Sequence, residues 1–124
     1  MTLTERAQQK VYVLDDDPVV LERLRDALAG LGEVHTSALW SDLAPSLLRA
    51  GASGQRVVLV CDLDMPGISG VDFCNIVRRH CPDVGLIIFT SEPTRTPGGV
   101  ADLVIAKQEG AGALRGAVQR LLQG

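Results

Sequence analysis

Aromatic residues are scarce in this chain: they make up 3% of its 124 residues. Long apolar runs are missing as well, and none approaches the roughly 20 residues that a membrane-spanning helix needs. The chain also lacks an excess of basic residues, since its net charge is −3. Binding of this domain to nucleic acid through a basic surface is therefore not expected. The first residues contain no apolar core of the kind that a signal peptide has. We expect no membrane segment and a cytoplasmic location.

Cysteine is also rare. The chain has three cysteines, Cys61, Cys74 and Cys81. An odd number without the close paired spacing of zinc ligands favours free, buried thiols in a reducing compartment. We therefore predict neither a disulfide framework nor a zinc site.

The remaining composition is that of an ordinary globular protein, with 46% hydrophobic and 22% charged residues. Leu, Val, Ile and Ala must fill the core because aromatic residues are so few. The length fits one domain and is too short for two. We predict a single domain over residues 1–124, with the polar stretch 1–9 frayed.

Short apolar segments alternate with segments in which leucine or valine recurs every three or four residues. The segments predicted to be strands are residues 10–14, 33–37, 56–61, 84–89 and 103–106, of which 33–37 has only a weak pattern. Strands that alternate with helices favour a parallel sheet built from right-handed crossovers. We predict an α/β fold, a flavodoxin-like doubly wound sheet of five strands in the order 2-1-3-4-5.

Proline and glycine mark the borders of the predicted helices. Asp17 followed by Pro18 indicates the start of the first helix, with Asp17 as its cap. Pro45 allows two interpretations of the second helix: Asp42 caps a helix whose first turn holds Pro45, or the segment is kinked there. Between the fourth and fifth strands, residues 92–100 contain two prolines and two adjacent glycines. We predict no regular helix in that segment, or at most one short turn.

Polar residues follow the predicted strands at the edge where an open parallel sheet places its ligands. They are Asp15, Asp16, Asp62, Thr90 and Lys107. Asp62 ends the most apolar strand, and a single aspartate in such a place is more often a turn residue that caps its own backbone. The combination is far more specific than any of its members, so we predict a functional site at this edge.

The chemistry of this set suits phosphoryl transfer. A carboxylate such as that of Asp62 can accept a phosphoryl group as an acyl phosphate. Crowded acidic side chains repel one another, and Mg²⁺, a hard cation that prefers oxygen ligands, would offset that repulsion. Lys107 can pair with Asp62 or with a phosphoryl oxygen, and the Thr90 hydroxyl can bind another.

The chain resembles the receiver domain of two-component response regulators from about residue 11 to residue 122. The motifs that carry the resemblance are VLDDDP at 13–18, DLDMPG at 62–67 with Gly70, FTS at 89–91, AD at 101–102 and Lys107. The resemblance implies that Asp62 is the phosphoacceptor and that Thr90 moves toward the phosphoryl group. It also implies that a partner histidine kinase or phosphotransfer protein supplies that group.

The resemblance further implies the metal ligands. Asp16 and Asp62 would bind Mg²⁺ directly together with the backbone carbonyl of Asp64, and Asp15 would act through water. The output would be a partner or an attached domain, whose identity the residues leave open.

The chain departs from the family between Thr90 and Lys107. This connection is shorter than usual, which predicts a short or absent fourth helix. Val104 replaces the usual Tyr or Phe, and Gln108 replaces the usual proline, so we predict a trans peptide bond after Lys107.

Two other functions remain open. The domain could be a phosphorylation-independent pseudo-receiver that serves as an interaction module, which Val104 and the short connection favour and the complete acidic set opposes. Asp62-Leu63-Asp64 also resembles the nucleophile motif of haloacid-dehalogenase-type phosphatases, but that class is longer and usually carries the motif on its first strand. We expect a signalling domain and not an enzyme. Arg78 and Arg79 are expected to lie on a solvated helix face.

Overall fold

The computed structural model describes Thr2 and residues 8–124. It contains a parallel sheet in the order β2-β1-β3-β4-β5, which confirms the predicted α/β fold. The strands are β1 (Gln9–Leu14), β2 (Glu33–Ser37), β3 (Arg56–Cys61), β4 (Gly85–Thr90) and β5 (Leu103–Ala106).

Four α-helices lie within residues 8–124. They are α1 (Pro18–Ala27), α2 (Trp40–Ala52), α3 (Gly70–His80) and α4 (Gly110–Gln123). Two single 3-10 turns are added, Pro93–Arg95 and Lys107–Glu109. In the part of the chain that the structure describes, no helix is long and apolar enough to span a membrane.

The helices cover both faces of the sheet, so the fold is doubly wound. Alternate residues of a strand point to opposite faces, and β1 shows this clearly. Tyr12 and Leu14 pack in the cluster that includes α2 and α3, whereas Val11 and Val13 pack in the cluster that includes α1 and α4. Each such buried aliphatic side chain contributes about 1.5–3 kcal/mol relative to an exposed one. The core is mainly aliphatic, as the scarcity of aromatic residues predicted, although Tyr12, Phe73 and Phe89 are also buried in it.

The central strand β3 determines where the site lies. Residues 57–61 are all buried, and the strand pairs with β1 on one side and β4 on the other. Leu14 is the register partner of Cys61, and the backbone N–H of Asp62 donates to the Leu14 carbonyl at 3.0 Å. The residues that follow β1 and β3 therefore leave the sheet side by side.

The N-terminal prediction needs a correction. Residues 1–9 were expected to be frayed, but Gln9 is the first residue of β1. The Gln8 carbonyl also accepts the backbone N–H of Arg56 at 3.0 Å, which extends the pairing of β1 with β3 by one residue. Met1 and residues 3–7 lie outside the described residues. The prediction is wrong for Gln8 and Gln9 because it was based on their polar side chains, whereas their pairing with β3 uses only backbone groups.

At the start of α2, the first of the two interpretations, with Asp42 as the cap, is wrong. The helix begins at Trp40, so Asp42 lies in its first turn and is not its cap. The preceding Ser37 side chain instead accepts the backbone N–H of Leu39 at 3.1 Å. Pro45 lies inside the helix, where the Ser41 carbonyl loses its usual backbone donor.

The connection between β4 and β5 contains one short turn, as predicted. The 3-10 turn Pro93–Arg95 is held by backbone bonds from Arg95 to the Glu92 carbonyl and from Thr96 to the Pro93 carbonyl. Residues 97–99 after it are exposed. No cis peptide bond occurs in the described residues, so the bond after Lys107 is trans. The connection therefore reaches β5 without a fourth helix of the family's usual kind.

The Arg78 side chain is 37% exposed, in line with the predicted solvated face, but hydrogen bonds also hold it in place. Its guanidinium donates to the Pro82 carbonyl at 2.8 Å, to the Val84 carbonyl at 3.1 Å and to Asp102 at 2.8 Å. The same Asp102 oxygen accepts the backbone N–H of Leu86 at 2.8 Å. These bonds attach the end of α3 to β4 and to the start of β5. They hold β5, and with it Lys107, beside the rest of the sheet.

Candidate functional site: an acidic cluster at the carboxyl edge

Three aspartates meet where β1 and β3 end. Asp15, Asp16 and Asp62 each offer a carboxylate oxygen, and these oxygens all lie within 4.8 Å of one another. Asp15 is 2% exposed, Asp62 is half-buried and Asp16 is exposed. The structure thus brings together the acidic residues that the sequence singled out, from two strands more than forty positions apart in the chain.

Asp15 is held rigidly. One of its carboxylate oxygens accepts the backbone N–H of Asp17 at 2.9 Å, and its own N–H donates to the Ser37 carbonyl at 3.2 Å. Asp17 in turn accepts the backbone N–H of Val19 at 2.9 Å and caps α1, as predicted. The start of α1 therefore fixes the direction in which Asp15 points.

The Asp62 carboxyl has a pKa above its ordinary value. Burial raises the pKa of this carboxyl, and the nearby charge of Asp15 raises it further. Lys107 and the backbone N–H of Leu63, which donates to Asp62 at 2.8 Å, lower this pKa in part. The negative charge at this position is thus incompletely compensated by the protein.

Lys107 is the cation of the site. It follows β5 directly, and its Nζ lies 2.9 Å from an Asp15 oxygen and 3.6 Å from Asp62. Burial acts to lower the pKa of Lys107, but the hydrogen bond and charge of Asp15 outweigh it, so the pKa is raised and the lysine stays charged. The predicted pairing with Asp62 is therefore secondary, and Asp15 is the closer partner.

Thr90 lies at the end of β4 and is 2% exposed. Its register partner on β5 is Ala106, the residue before Lys107. The Thr90 hydroxyl oxygen accepts the backbone N–H of Glu92 at 3.0 Å, and its proton remains available to a further acceptor.

The loop between β3 and α3, residues 62–69, is here called the acceptor loop. Its return to the sheet depends on Gly70, whose backbone N–H donates to the Leu63 carbonyl at 2.8 Å. A Cβ atom on Gly70 would lie 2.1 Å from the Asp62 carbonyl oxygen, closer than any real contact allows. The Ser69 side chain accepts the backbone N–H of Asp72 at 3.1 Å and caps α3.

A cleft of about 580 Å³ opens beside the acidic cluster. Its walls come from the acceptor loop and its neighbours: Asp16, Asp64, Met65, Pro66, Gly67, Ile68, Ser69 and Asp72. Trp40 packs against this loop, since its indole nitrogen lies 3.4 Å from the position of a Cβ on Gly67. The single tryptophan of the chain is therefore placed to report changes in the acceptor loop.

Arg95 is a feature of the site that sequence reasoning missed. One guanidinium nitrogen lies 2.9 Å from an Asp64 oxygen, and the other lies 3.3 Å from the second oxygen of that carboxylate. The same guanidinium also donates to Glu92. The Asp64 side chain is thus turned toward this arginine at the protein surface. No spacing rule links residues 64 and 95, so only the tertiary structure reveals the contact.

The donor set fits a hard divalent cation. All the ligand atoms that the cluster offers are carboxylate oxygens, which Mg²⁺ prefers. Burial, followed by the charge of Asp15, raises the pKa of Asp62, and a bound cation would favour the charged form of this carboxylate. Asp15, Asp16 and Asp62 are thus the residues that could hold such an ion, with Lys107 paired to Asp15 and, at 3.6 Å, to Asp62.

Replacing Asp16 with alanine should weaken Mg²⁺ binding. The substitution removes a charged ligand from a site with few of them, and loss of even a supporting residue of a metal site typically costs about 10–100-fold in affinity. We expect a loss at least that large in a Mg²⁺ titration followed by Trp40 fluorescence. Asp83→Ala, which changes an exposed aspartate between α3 and β4, is the matched control. Equal affinity in Asp16→Ala and wild type would show that Asp16 is not a ligand.

Comparison with known proteins agrees with this geometry. The model of the response regulator receiver domain family matches residues 11–118. DNA-binding response regulator MtrA of Mycolicibacterium smegmatis is 31% identical over 105 residues, which cover 84% of this chain and 42% of MtrA. Transcriptional regulatory protein MctR of Rhizobium johnstonii is 26% identical over 93 residues, which cover 75% of this chain and 43% of MctR. The chain spans less than half the length of these curated relatives.

Solved structures show the same fold. The beryllofluoride-activated receiver domain of DrrB, a Thermotoga maritima protein, superimposes with a TM-score of 0.78 at 24% identity, covering 93% of this chain and 97% of that one. The response regulator TrrA of Thermotoga maritima, solved in complex with Mg²⁺ and beryllofluoride, superimposes with a TM-score of 0.74 at 26% identity, covering 91% of this chain and 98% of that one. Together with the family match over most of the sequence, the fold and the edge on which the aspartates lie show that this chain belongs to the receiver domain family of two-component response regulators.

Proposed function

We propose that this chain is a phosphoacceptor receiver: Asp62 takes a phosphoryl group from a partner histidine kinase or histidine phosphotransfer protein and so switches a partner or an attached output domain. The observation that carries the proposal is the convergence of Asp15, Asp16 and Asp62 with Lys107 at the carboxyl edge of the sheet. The backbone of Asp62 is also closely packed, since a Cβ on Gly70 would lie 2.1 Å from its carbonyl oxygen. An aspartate in a solvated turn would not need such close packing.

Mg²⁺ is the proposed cofactor. Asp16 and Asp62 would bind it directly with the backbone carbonyl of Asp64, and Asp15 would act through water. When bound, the ion would neutralise charge on the phosphoryl oxygens and on the carboxylates. The structure of the relative TrrA with Mg²⁺ and beryllofluoride supports this assignment.

The residues of this chain have distinct roles in the proposed transfer. A carboxylate oxygen of Asp62 attacks phosphorus, and the bond between phosphorus and the donor breaks as the acyl phosphate forms. The donor leaves with the electron pair of that bond, as imidazole from a phosphohistidine or as acetate from acetyl phosphate. Lys107, 3.6 Å from Asp62, can bind a phosphoryl oxygen, and the buried Thr90 hydroxyl can donate to another.

We also propose the extent of the domain and its location in the cell. Residues 1–124 would form one receiver domain in the cytoplasm, where the three buried free thiols would remain reduced. The curated relative MctR is a transcriptional regulatory protein and MtrA is a DNA-binding response regulator, and the matched region covers less than half of each. A nucleic-acid contact in such a system would come from another domain or partner, because this domain carries a net charge of −3.

The pseudo-receiver is the second candidate, and one observation favours it. Receivers usually have an aromatic residue at the position of Val104, and it couples the site to the protein surface. Here Val104 is not aromatic and is 37% exposed, so the chain lacks that aromatic coupling. A phosphatase is not favoured, because the Asp64 carboxylate is exposed and bound by Arg95 instead of pointing into an enclosed site. We propose a signalling module and not an enzyme.

Treatment with acetyl phosphate and Mg²⁺ separates the two candidates. Intact-mass measurement should show one added phosphoryl group, and addition of a chelator should prevent the modification because the acidic cluster would then lack its cation. An unmodified protein under conditions that phosphorylate a known receiver would contradict the proposal and favour the pseudo-receiver.

A further inference from the structure

Arg95 connects the two loops that border the acidic cluster. It lies in the 3-10 turn of the β4–β5 connection, the segment that stands where other receivers have a helix. Its guanidinium makes a two-pronged contact with Asp64, at 2.9 and 3.3 Å, and also donates to Glu92. One side chain thus joins the acceptor loop to the β4–β5 connection.

Both partners of Arg95 lie next to residues of the site. Asp64 is two positions after Asp62 on the acceptor loop. Glu92 is two positions after Thr90, and its backbone N–H donates to the Thr90 hydroxyl oxygen. The contacts form a chain that runs from the acceptor loop through Arg95 and Glu92 to Thr90 at the end of β4.

The segment that carries Arg95 has few contacts that would oppose its movement. The backbone bonds of the turn are local, from Arg95 to Glu92 and from Thr96 to Pro93. Residues 97–99 are exposed, and a Cβ on Gly98 or Gly99 would meet nothing within 4 Å. Little packing therefore opposes a shift of residues 97–99, and the contacts of Arg95 reach from the preceding turn to the acceptor loop.

Phosphorylation would change the charge that Arg95 faces. A phosphoryl group carries about −1.5 to −2 charges near neutral pH and offers strong acceptor oxygens, in place of the single charge of a carboxylate. A guanidinium binds such a group with two parallel hydrogen bonds, which the point charge of lysine cannot do. If Thr90 turns toward the phosphoryl group, the N–H of Glu92 also loses its acceptor.

We propose that Arg95 is the contact through which the β4–β5 connection responds to the phosphoryl group on Asp62. Its guanidinium leaves Glu92 and part of Asp64 for a phosphoryl oxygen, and residues 92–100 become ordered around the site. Arg95 binds the phosphoryl group directly in this scheme, and the inference rests on the proposed function. Arg95 would thus take the place of the aromatic residue that receivers usually have at the position of Val104.

Hydrogen exchange with and without beryllofluoride and Mg²⁺ tests the inference. In wild type we expect amide exchange in residues 92–100 to slow on the order of tenfold, within the usual range of coupling between two sites. In Arg95→Gln the slowing in this segment should be lost, although Trp40 fluorescence still reports binding of beryllofluoride. Arg95→Lys should restore only part of the effect, because it keeps the charge without the two-pronged geometry.

Arg79→Gln is the matched control, since it removes an equal charge from the exposed face of α3. It should behave like wild type. Equal slowing in Arg95→Gln and wild type, with beryllofluoride bound in both, would overturn the inference and leave the proposed function intact. A wild-type protein that does not bind beryllofluoride at all would instead overturn the proposed function, and the role of Arg95 with it.

Discussion

Replacing Asp62 with asparagine should abolish modification by acetyl phosphate. The amide has no carboxylate oxygen to attack phosphorus, and no other carboxylate of the cluster stands at the end of the central strand. Intact-mass measurement after incubation with Mg²⁺ and acetyl phosphate should show the unmodified mass only. Asp83→Asn, at an exposed aspartate between α3 and β4, should be modified like wild type. Undiminished phosphorylation of Asp62→Asn would place the acceptor at another residue.

The same variant should be more stable than wild type when Mg²⁺ is absent. Burial and the charge of Asp15 raise the pKa of Asp62 above its ordinary value. The folded protein therefore binds this proton more tightly than the unfolded chain, and stability falls as pH rises from the ordinary pKa of 3.8 through the raised folded-state pKa. At neutral pH the Asp62 charge thus lowers stability, and asparagine removes that charge. Thermal unfolding at pH 7 with chelator should show a higher midpoint for Asp62→Asn, and a lower one would contradict this account.

Gly70→Ala should damage both the fold and the site. The added Cβ would lie 2.1 Å from the Asp62 carbonyl oxygen and 3.0 Å from its carbon, and these are backbone atoms that no side-chain rotation can move away. Inserting a methyl group into so tight a place typically costs about 1–3 kcal/mol of unfolding free energy, occasionally more. Relief of the clash must shift Asp62 itself, so phosphorylation by acetyl phosphate should slow together with the loss of stability. Thermal unfolding and intact mass measure the two effects.

Gly116→Ala is the matched control for this experiment. It makes the same chemical change inside α4, where a Cβ would meet nothing within 4 Å. Alanine is about 1 kcal/mol more favourable than glycine in a helix interior. The control should therefore be more stable than wild type and fully phosphorylated. If Gly70→Ala matched it in both measurements, the acceptor loop would not depend on the close approach at Gly70.

Much of this fold could be predicted from the sequence because local rules dictate it. Apolar runs with turn residues between them predicted all the strands, and β2, β3 and β5 begin and end where the pattern placed them. Parallel strands must end at one edge, so the order of the strands was enough to bring Asp15 and Asp62 together. The two prolines and two glycines after Thr90 prevent a regular helix there through backbone sterics alone.

The sequence did not predict two kinds of contact: backbone pairing by residues with polar side chains, and hydrogen bonds from a long side chain to a distant part of the chain. Gln9 belongs to β1 because its backbone continues the ladder, whatever its side chain. The pattern placed Arg78 in solvent, yet it binds carbonyls after α3 and the carboxylate of Asp102.

The sequence by itself thus determined the sheet, the edge at which the site lies and the residues that meet there. Only the tertiary structure decided that Lys107 prefers Asp15 to Asp62, that Gly70 must lack a side chain and that Arg95 joins Asp64 to Glu92. The physical reason is one of range. Strand and turn formation depend on neighbours in the chain, whereas the partner of a lysine, a glycine or an arginine depends on which backbones the finished packing brings within a few ångströms.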